Sequence, residues 1–335
     1  MHEHHDGSQI AIGLTAVIVA VTREAPRILI VRRREHGGEV EQSLASEGQI
    51  DALPFGPLDP SSDRTLELTL RGWVQEQTGI ELGYAEQLYT FGDRNRDPRE
   101  RMGGPRVISI GYLTLGREMS LADGAAAQWR PWYDFLPWED WREGRPQILD
   151  RGLEPLLRQW ASEGEPAVQR RRRERLDIAF GFGGAPWDGE RVLDRYELLY
   201  EAGLVREAWR DGRREVRPEA ETLGLGRAMG FDHRRIVATA LSRLRGKIKY
   251  RPVVFELLPE SFTLLQLQRV VEALAGHRLH KQNFRRLVDR GGLVEGTGQL
   301  AAGTSGRPAE LFRFRRDVLR ERPTPGVGLP TLPTR

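Results

Sequence analysis

Leu53-Pro-Phe-Gly-Pro-Leu58, followed by Arg71-Gly-Trp-Val-Gln-Glu-Gln-Thr-Gly-Ile80, is the stretch whose reading decides the fold. Leu53–Pro57 predicts a short strand that ends at a Gly-Pro break. Thr65–Gln77 then carries Leu66, Leu70, Trp73 and Val74 at helical spacing, and Thr78-Gly79 stops the helix with glycine at the left-handed cap position. Working outward, Ile10–Val21 is a continuous apolar, β-branched run that predicts a buried strand. Arg23-Glu-Ala-Pro26 is a turn, and Arg27–Arg33 alternates as a second strand. Leu88–Phe91 and Val107–Leu115 add further strands, separated by the charged loop Gly92–Gly104. Strands interleaved with one strong helix fit an α/β/α sandwich.

The whole chain sets the frame around that stretch. Its 335 residues allow two or three domains. The absence of cysteine excludes disulfides, thiolate metal sites and a cysteine nucleophile, and agrees with a cytoplasmic protein. The sequence has no run of membrane-span length. Met1-His-Glu-His-His-Asp6 lacks the apolar core of a signal peptide and reads as a frayed end rather than a metal site. The net charge of +3 is unevenly spread: Phe231–Arg335 holds 20 Lys and Arg against 9 Asp and Glu, a net of +11, which leaves −8 for the rest. Such a basic third is the footprint of a nucleic-acid-binding module, or else a solvated basic surface.

Between the two ends, Leu149–Arg175 has a helical pattern closing on Arg170–Arg173. With Glu163, Glu165 and Glu174 beside it, that run reads as a nucleic-acid contact or as a solvated helix face. Phe180–Trp187 is a loop rich in glycine and aromatics. Val192–Ala202 is a helix, Leu204–Trp209 a helix or strand, and Phe231–Lys249 a strong helix with Ile236, Ala240, Leu244 and Ile248 on one stripe. The glycines 224, 226 and 230 have the wrong spacing for a dinucleotide fingerprint and follow no strand. Pro323–Arg335 has the composition of a disordered tail.

In the basic third, Thr263 and Gln266 form a capping box that opens a helix carrying Leu264, Leu267, Val270, Val271 and Leu274. After a glycine turn, a second helix from about His280 to Arg290 buries Phe284, Leu287 and Val288. It offers His280, Lys281, Gln282, Asn283, Arg285, Arg286 and Arg290 outward. Leu293–Glu295 and Glu310–Phe314 follow as strands around a loop with Arg307. Helix, turn, basic helix and hairpin make a winged helix-turn-helix, with Thr263 at the first helix and Arg307 at the wing as further DNA contacts. The exposed side chains suit a major groove: arginine for guanine, Asn and Gln for adenine, Lys for phosphate. A protein-binding module of the same shape is the competing reading.

The first stretch resembles the Nudix motif with its chemistry removed. Anchored on Gly79, Gly72 stands where that family has Arg, Trp73 where it has its first Glu, and Gln77 where it has its last; Glu76 is kept. Phe91–Arg99, Phe231-Asp-His, Ala240–Lys247, Phe255–Pro259 and Asn283–Arg286 together resemble the Nudix-related regulators of NAD metabolism, the NrtR type. The resemblance covers 10–130 and 229–320, and residues 163–228 are extra, as in the NadQ branch. It implies a Nudix-like domain over 1–162, an extension over 163–228, a helix over 229–250 that completes the Nudix-like domain and links onward, a winged helix over 251–322 and a tail over 323–335. It further implies a homodimeric repressor of NAD biosynthesis genes that binds operator DNA and answers to an adenine nucleotide: NAD, ATP or ADP-ribose.

The effector would meet Arg32, Arg33 and Arg106 as phosphate partners, the Phe55-Gly56 turn, Trp73 and Glu76. Trp73 stacks on a base or packs in the core, and Glu76 pairs with a pocket arginine. No catalytic residue and no metal site is expected, because one Glu and one Gln are a poor cage for a hard cation. Two other functions compete with the repressor: an active Nudix hydrolase and a protein-binding adaptor. The hydrolase would use Glu67 with Glu76, yet nine positions set these about 180° apart on a helix.

Overall fold

The computed structural model describes residues 10–22, 24–34, 49–94, 96–97, 100, 103–121, 126–212, 223–301 and 308–328, the side chains of 33, 34 and 49 excepted. β1 (Ile10–Thr22) pairs parallel with β6 (Arg106–Leu115) and antiparallel with β2 (Ala25–Arg34). β3 (Gln49–Ala52) and β5 (Tyr84–Phe91) close the order β3-β2-β1-β6-β5. Two short strands lie off this path: β4 (Phe55–Pro57) on β1 and β7 (Ala127–Pro131) on β2.

The unbroken apolar run of β1 is explained by cover on both faces. Leu14, Ala16 and Ile18 pack with Leu29, Leu70 and Val74 beneath α1 (Leu66–Thr78). Val17 and Val19 face the opposite way, into a core shared with α6 (His233–Ile248). The α/β/α sandwich follows. α1 is bounded as its sequence predicts: the Thr65 hydroxyl accepts from the Leu68 amide at 3.2 Å, and Gly79 caps the other end at φ 74°. β3 and β7 were not expected.

The stretch 149–175 is not one helix. A π-helical turn (Leu149–Leu153) leads into α2 (Glu154–Ala161), and α3 (Pro166–Phe180) starts anew. Gly164 at φ +86° and Pro166 at the first turn of α3 make the break. Of the arginine run, Arg172 is structural: it lies over the Trp160 ring at 4.3 Å and donates to the Trp160 and Glu163 carbonyls at 2.9 and 3.1 Å, closing the end of α2. α4 (Val192–Glu201) and the short helix α5 (Arg206–Arg210) complete the middle stretch. Leu198, Leu199 and Ala208 are buried in the same core as α6.

α7 (Leu264–Ala275), α8 (Lys281–Gly291), β8 (Val294–Leu300) and β9 (Glu310–Phe314) form the winged helix. The Thr263–Gln266 capping box is present in both directions, and Gly276 at φ 78° turns α7 into α8. A bridge between Phe262 and Phe312 joins the start of α7 to the hairpin. A short helix, α9 (Val318–Glu321), follows. The expectation of a disordered tail from Pro323 fails for 323–328. Val327 is fully buried and its amide donates to the Ile248 carbonyl at 2.9 Å. Residues 329–335, like 1–9, lie outside the described residues.

Candidate functional site

A cavity of about 270 Å³ opens between the sheet, α1 and the start of α6. β1 supplies Ala11–Gly13 and Thr15 as its floor; β4 supplies Phe55–Pro57; β6 supplies Val107 and Ser109. Thr15 and Ser109 satisfy each other across the strands at 2.8 Å, so the two hydroxyls of an otherwise apolar floor are paired. Trp73 forms one wall. Its ring lies so close over Gly56 that a Cβ there would stand 2.3 Å from the indole, and its Nε1 donates to the Pro57 carbonyl at 2.9 Å. Trp73 is therefore neither a core residue nor a free stacking plate: it is half-buried, laid flat on a turn that only glycine allows.

The opposite wall comes from far along the chain. Phe231 and His233 meet Phe55 in an aromatic trio with ring centroids 5.0–5.2 Å apart. The His233 Nδ1 accepts from the Leu53 amide at 2.9 Å, which ties α6 to the strand-turn before α1. Phe231 sits at φ 52°, a left-handed conformation that costs a bulky residue about 1–2 kcal/mol. Asp232, between them, reaches Arg96 of the 92–104 loop: Arg96 Nε donates to Oδ2 at 3.0 Å and Nη2 to Oδ1, with both side chains buried.

Of the expected effector residues, Phe55, Gly56 and Trp73 line this cavity. Arg32 and Arg106 do not. Arg32 is exposed on β2, and exposed Arg106 donates to the Gly92 carbonyl at 2.8 Å. Glu76, expected beside a pocket arginine, is exposed and does not line the cavity, although it lies within about 60° of Trp73 around α1. The Arg33 side chain lies outside the described residues. The cation on the cavity wall is Arg96, with Asp97 next to it. Both fall in the Phe91–Arg99 motif, but their burial was not visible in a loop so charged. Glu67 is held by Arg71, Nη2 to Oε1 at 2.7 Å, on the exposed side of α1. Among the described residues, no group of three His, Asp or Glu stands together as a metal site.

In the winged helix, α8 divides by face. Phe284 and Val288 are buried and Leu287 is half-buried, while His280, Lys281, Gln282, Asn283, Arg285, Arg286 and Arg290 are all exposed. Thr263 is half-buried and its hydroxyl is engaged in the cap of α7. Arg307 lies outside the described residues.

α6 spans the distance between cavity and winged helix, and buried arginines lock it in place. Arg245 donates to Glu139 Oε2 at 2.6 Å, to the Glu139 carbonyl at 3.0 Å and to the Leu274 carbonyl in α7 at 3.1 Å. Arg195 of α4 donates to both Glu139 oxygens, Nε to Oε1 at 2.5 Å and Nη2 to Oε2 at 2.9 Å, beneath Trp187 at 3.8 Å. Burial pulls Arg195 below the usual arginine value while its pair with Glu139 pulls it back up. A Cβ on Gly276 would stand 2.4 Å from Arg245 Nη2, so the turn between α7 and α8 closes directly on this network. Arg234 makes a second buried lock, to Glu207 at 3.3 Å and to the Phe135 carbonyl at 2.8 Å.

Residues 254–314 match the family described as the NrtR DNA-binding winged helix domain. The ADPR responsive transcriptional repressor NtrR of Acinetobacter baylyi is 40% identical over 86 residues, which is 26% of this chain and 34% of that protein. The chain thus matches about a third of that relative's length. Among solved structures, Shewanella oneidensis NrtR complexed with a 27mer DNA is 21% identical with a TM-score of 0.54, over 92% of this chain and 95% of that one. A MutT/nudix family protein from Enterococcus faecalis is 15% identical with a TM-score of 0.51, over 94% of this chain and 90% of that one. At these identities the structural likeness is one of fold. No helix among the described residues is long and apolar enough to cross a membrane. Residues 254–314 thus match the NrtR DNA-binding winged helix domain, and the chain as a whole shares the fold of the NrtR structures.

Proposed function

We propose that this chain is a transcriptional repressor whose grip on operator DNA is set by an adenine nucleotide bound in the Trp73–Phe231 cavity. The observation that carries the reading is the placement of α6. His233 at its first turn belongs to the cavity wall, Asp232 at its cap holds the wall residue Arg96, and Arg245 near its other end donates to the Leu274 carbonyl of α7. Aromatic walls and a volume of about 270 Å³ suit a heteroaromatic base with its sugar, with phosphates directed toward the mouth. A ligand that fits only one position of α6 shifts the population of winged-helix positions by its differential affinity. The buried Arg96–Asp232 pair is the contact that such a ligand would tighten or displace.

ADP-ribose is the favoured effector, since the Acinetobacter relative is described as ADPR responsive; NAD and ATP are the alternatives. A homodimer reading paired half-sites, in the cytoplasm, with NAD biosynthesis genes as its targets, completes the proposal. The chain is not an enzyme in this reading, because Trp73 and Gln77 occupy the positions of two motif carboxylates and the remaining Glu76 does not line the cavity. Substantial Mg²⁺-dependent hydrolysis of ADP-ribose, abolished in Glu76→Gln, would instead favour the hydrolase.

The test is a gel-shift titration against the promoter region of the NAD biosynthesis genes, adding ADP-ribose, NAD, ATP and nicotinic acid mononucleotide in turn. Specific binding that one nucleotide relieves supports the repressor and identifies the effector. Binding indifferent to all four removes the sensor half of the proposal. No specific binding, with or without ligand, removes the target.

A further inference from the structure

Residues 322–328 lie beyond the matched winged-helix domain, and they touch both helices that matter for its position. On one side, Arg322 Nη2 donates to the Arg290 carbonyl at the end of α8 at 2.9 Å. Gly328 comes within contact distance of Leu287, the half-buried residue of α8, at 3.9 Å for a built Cβ. On the other side, the Val327 amide donates to the Ile248 carbonyl at the end of α6 at 2.9 Å, and the Val327 side chain is fully buried. Between these contacts Gly326 lies directly on the Lys249–Tyr250 peptide. A Cβ at 326 would stand 2.3 Å from that backbone, so no other residue fits the seat unchanged. Pro323 and Pro325 narrow the unfolded alternatives of the segment, and Pro325 is itself buried, so ordering it costs less entropy than its length suggests.

The geometry points to a positioning strap: residues 322–328 fasten the recognition helix α8 to the end of α6, with Val327 as the anchor. α8 otherwise rests on the rest of the winged helix through Phe284 and Val288, both buried. The strap adds a direct link from the other side, so that a displacement of α6 is passed to α8 without having to travel through α7. The fastening stands on the contacts alone; the transmission rests on the effector reading above.

Hydrogen–deuterium exchange on four forms of the chain tests both parts: the full chain, Val327→Ala, Gly326→Leu and a chain ending at Arg322. Peptides over 281–291 should exchange about tenfold faster in the shortened chain and in Gly326→Leu, and by a smaller factor in Val327→Ala. Peptides over 66–78 should be unchanged, which shows that the body remains folded. Equal protection of 281–291 in all four forms overturns the strap.

With ADP-ribose present, the full chain should slow exchange over 53–57 and alter it over 281–291. The chain ending at Arg322 should keep the first response and lose the second. A second response that survives without the strap overturns the transmission. If ADP-ribose changes nothing over 53–57 in the full chain, the effector reading fails, and the fastening is still decided by the first comparison.

Discussion

Arginine sits in opposite environments in the body and on α8. In the body, Arg195, Arg234 and Arg245 are almost fully buried, and each is paired with Glu139 or Glu207 and with backbone carbonyls. On α8, Arg285, Arg286 and Arg290 are exposed to solvent. A buried guanidinium gives up its hydration and is tolerated only because fixed acceptors replace the water. An exposed one keeps its hydration and its full reach for a phosphate or a guanine edge. The lesson is that a basic segment says little about function until its burial is known. The run Arg170–Arg173, which had nucleic-acid contact as one of its two readings, contains Arg172, whose contacts close the end of α2.

The sharpest way to break this contrast is to remove the shared acceptor. Glu139→Gln leaves two buried arginines short of their countercharge and should cost about 3–5 kcal/mol in urea unfolding. A cost near zero would mean that these arginines are as indifferent to pairing as exposed ones. Next in size is Gly56→Val. The new side chain occupies the Trp73 ring position, so it should cost about 1–3 kcal/mol from overpacking and abolish nucleotide binding measured by calorimetry. Retained binding would place the effector elsewhere.

On the exposed side, Arg285→Ala and Arg286→Ala should leave the thermal midpoint in place. Each should weaken operator binding about tenfold, and each lost phosphate contact should reduce the slope of log affinity against log salt by about 1. A flat salt dependence in the unaltered chain would favour a protein-binding adaptor.

The smallest effect concerns Glu272, a buried carboxylate that half-buried Arg269 and exposed Arg278 reach from the surface. Burial alone would raise it, but the Leu279 amide, Gln268, Arg278 and Arg269 outweigh burial and hold it below the usual carboxylate range. A depressed folded value means that the stability it lends is complete above the unfolded value of about 4.5 and fades as pH falls through the folded one. Glu272→Gln should therefore lower stability at neutral pH, and the gap to the unaltered chain should close below about pH 4.5. A gap that stays constant down to pH 3 would show that the carboxylate's charge contributes nothing.

Local patterns made much of the molecule legible. The Thr65 and Gly79 caps bound α1, the Thr263–Gln266 box opens α7, and the spacing of Phe284, Leu287 and Val288 told the inner face of α8 from its outer one. Each of these depends on neighbours within about one helical turn, which sequence displays directly. The motif turn likewise pointed to Phe55, Gly56 and Trp73 as neighbours, since they belong to one strand-turn-helix unit.

Tertiary structure decided what depends on distant residues meeting. β3 and β7 are short edge segments whose strand character comes from pairing with β2, not from their own four or five residues. The far wall of the cavity exists because His233 meets Leu53 across 180 residues of chain, and Arg96 meets Asp232 across 136. Glu76 and Trp73 lie within about 60° of each other on α1, yet only Trp73, laid on the Gly56 turn, lines the cavity, while Glu76 is exposed. The Pro- and Gly-rich composition of 323–328 read as disorder because the partners that hold it, the Ile248 carbonyl for buried Val327 and Leu287 beside Gly328, are distant in sequence. Sequence thus determined the elements whose stabilising partners are local, and the tertiary structure alone decided which charged residues would be walled in and which left for a ligand, because burial is a property of the assembled core and not of any one segment.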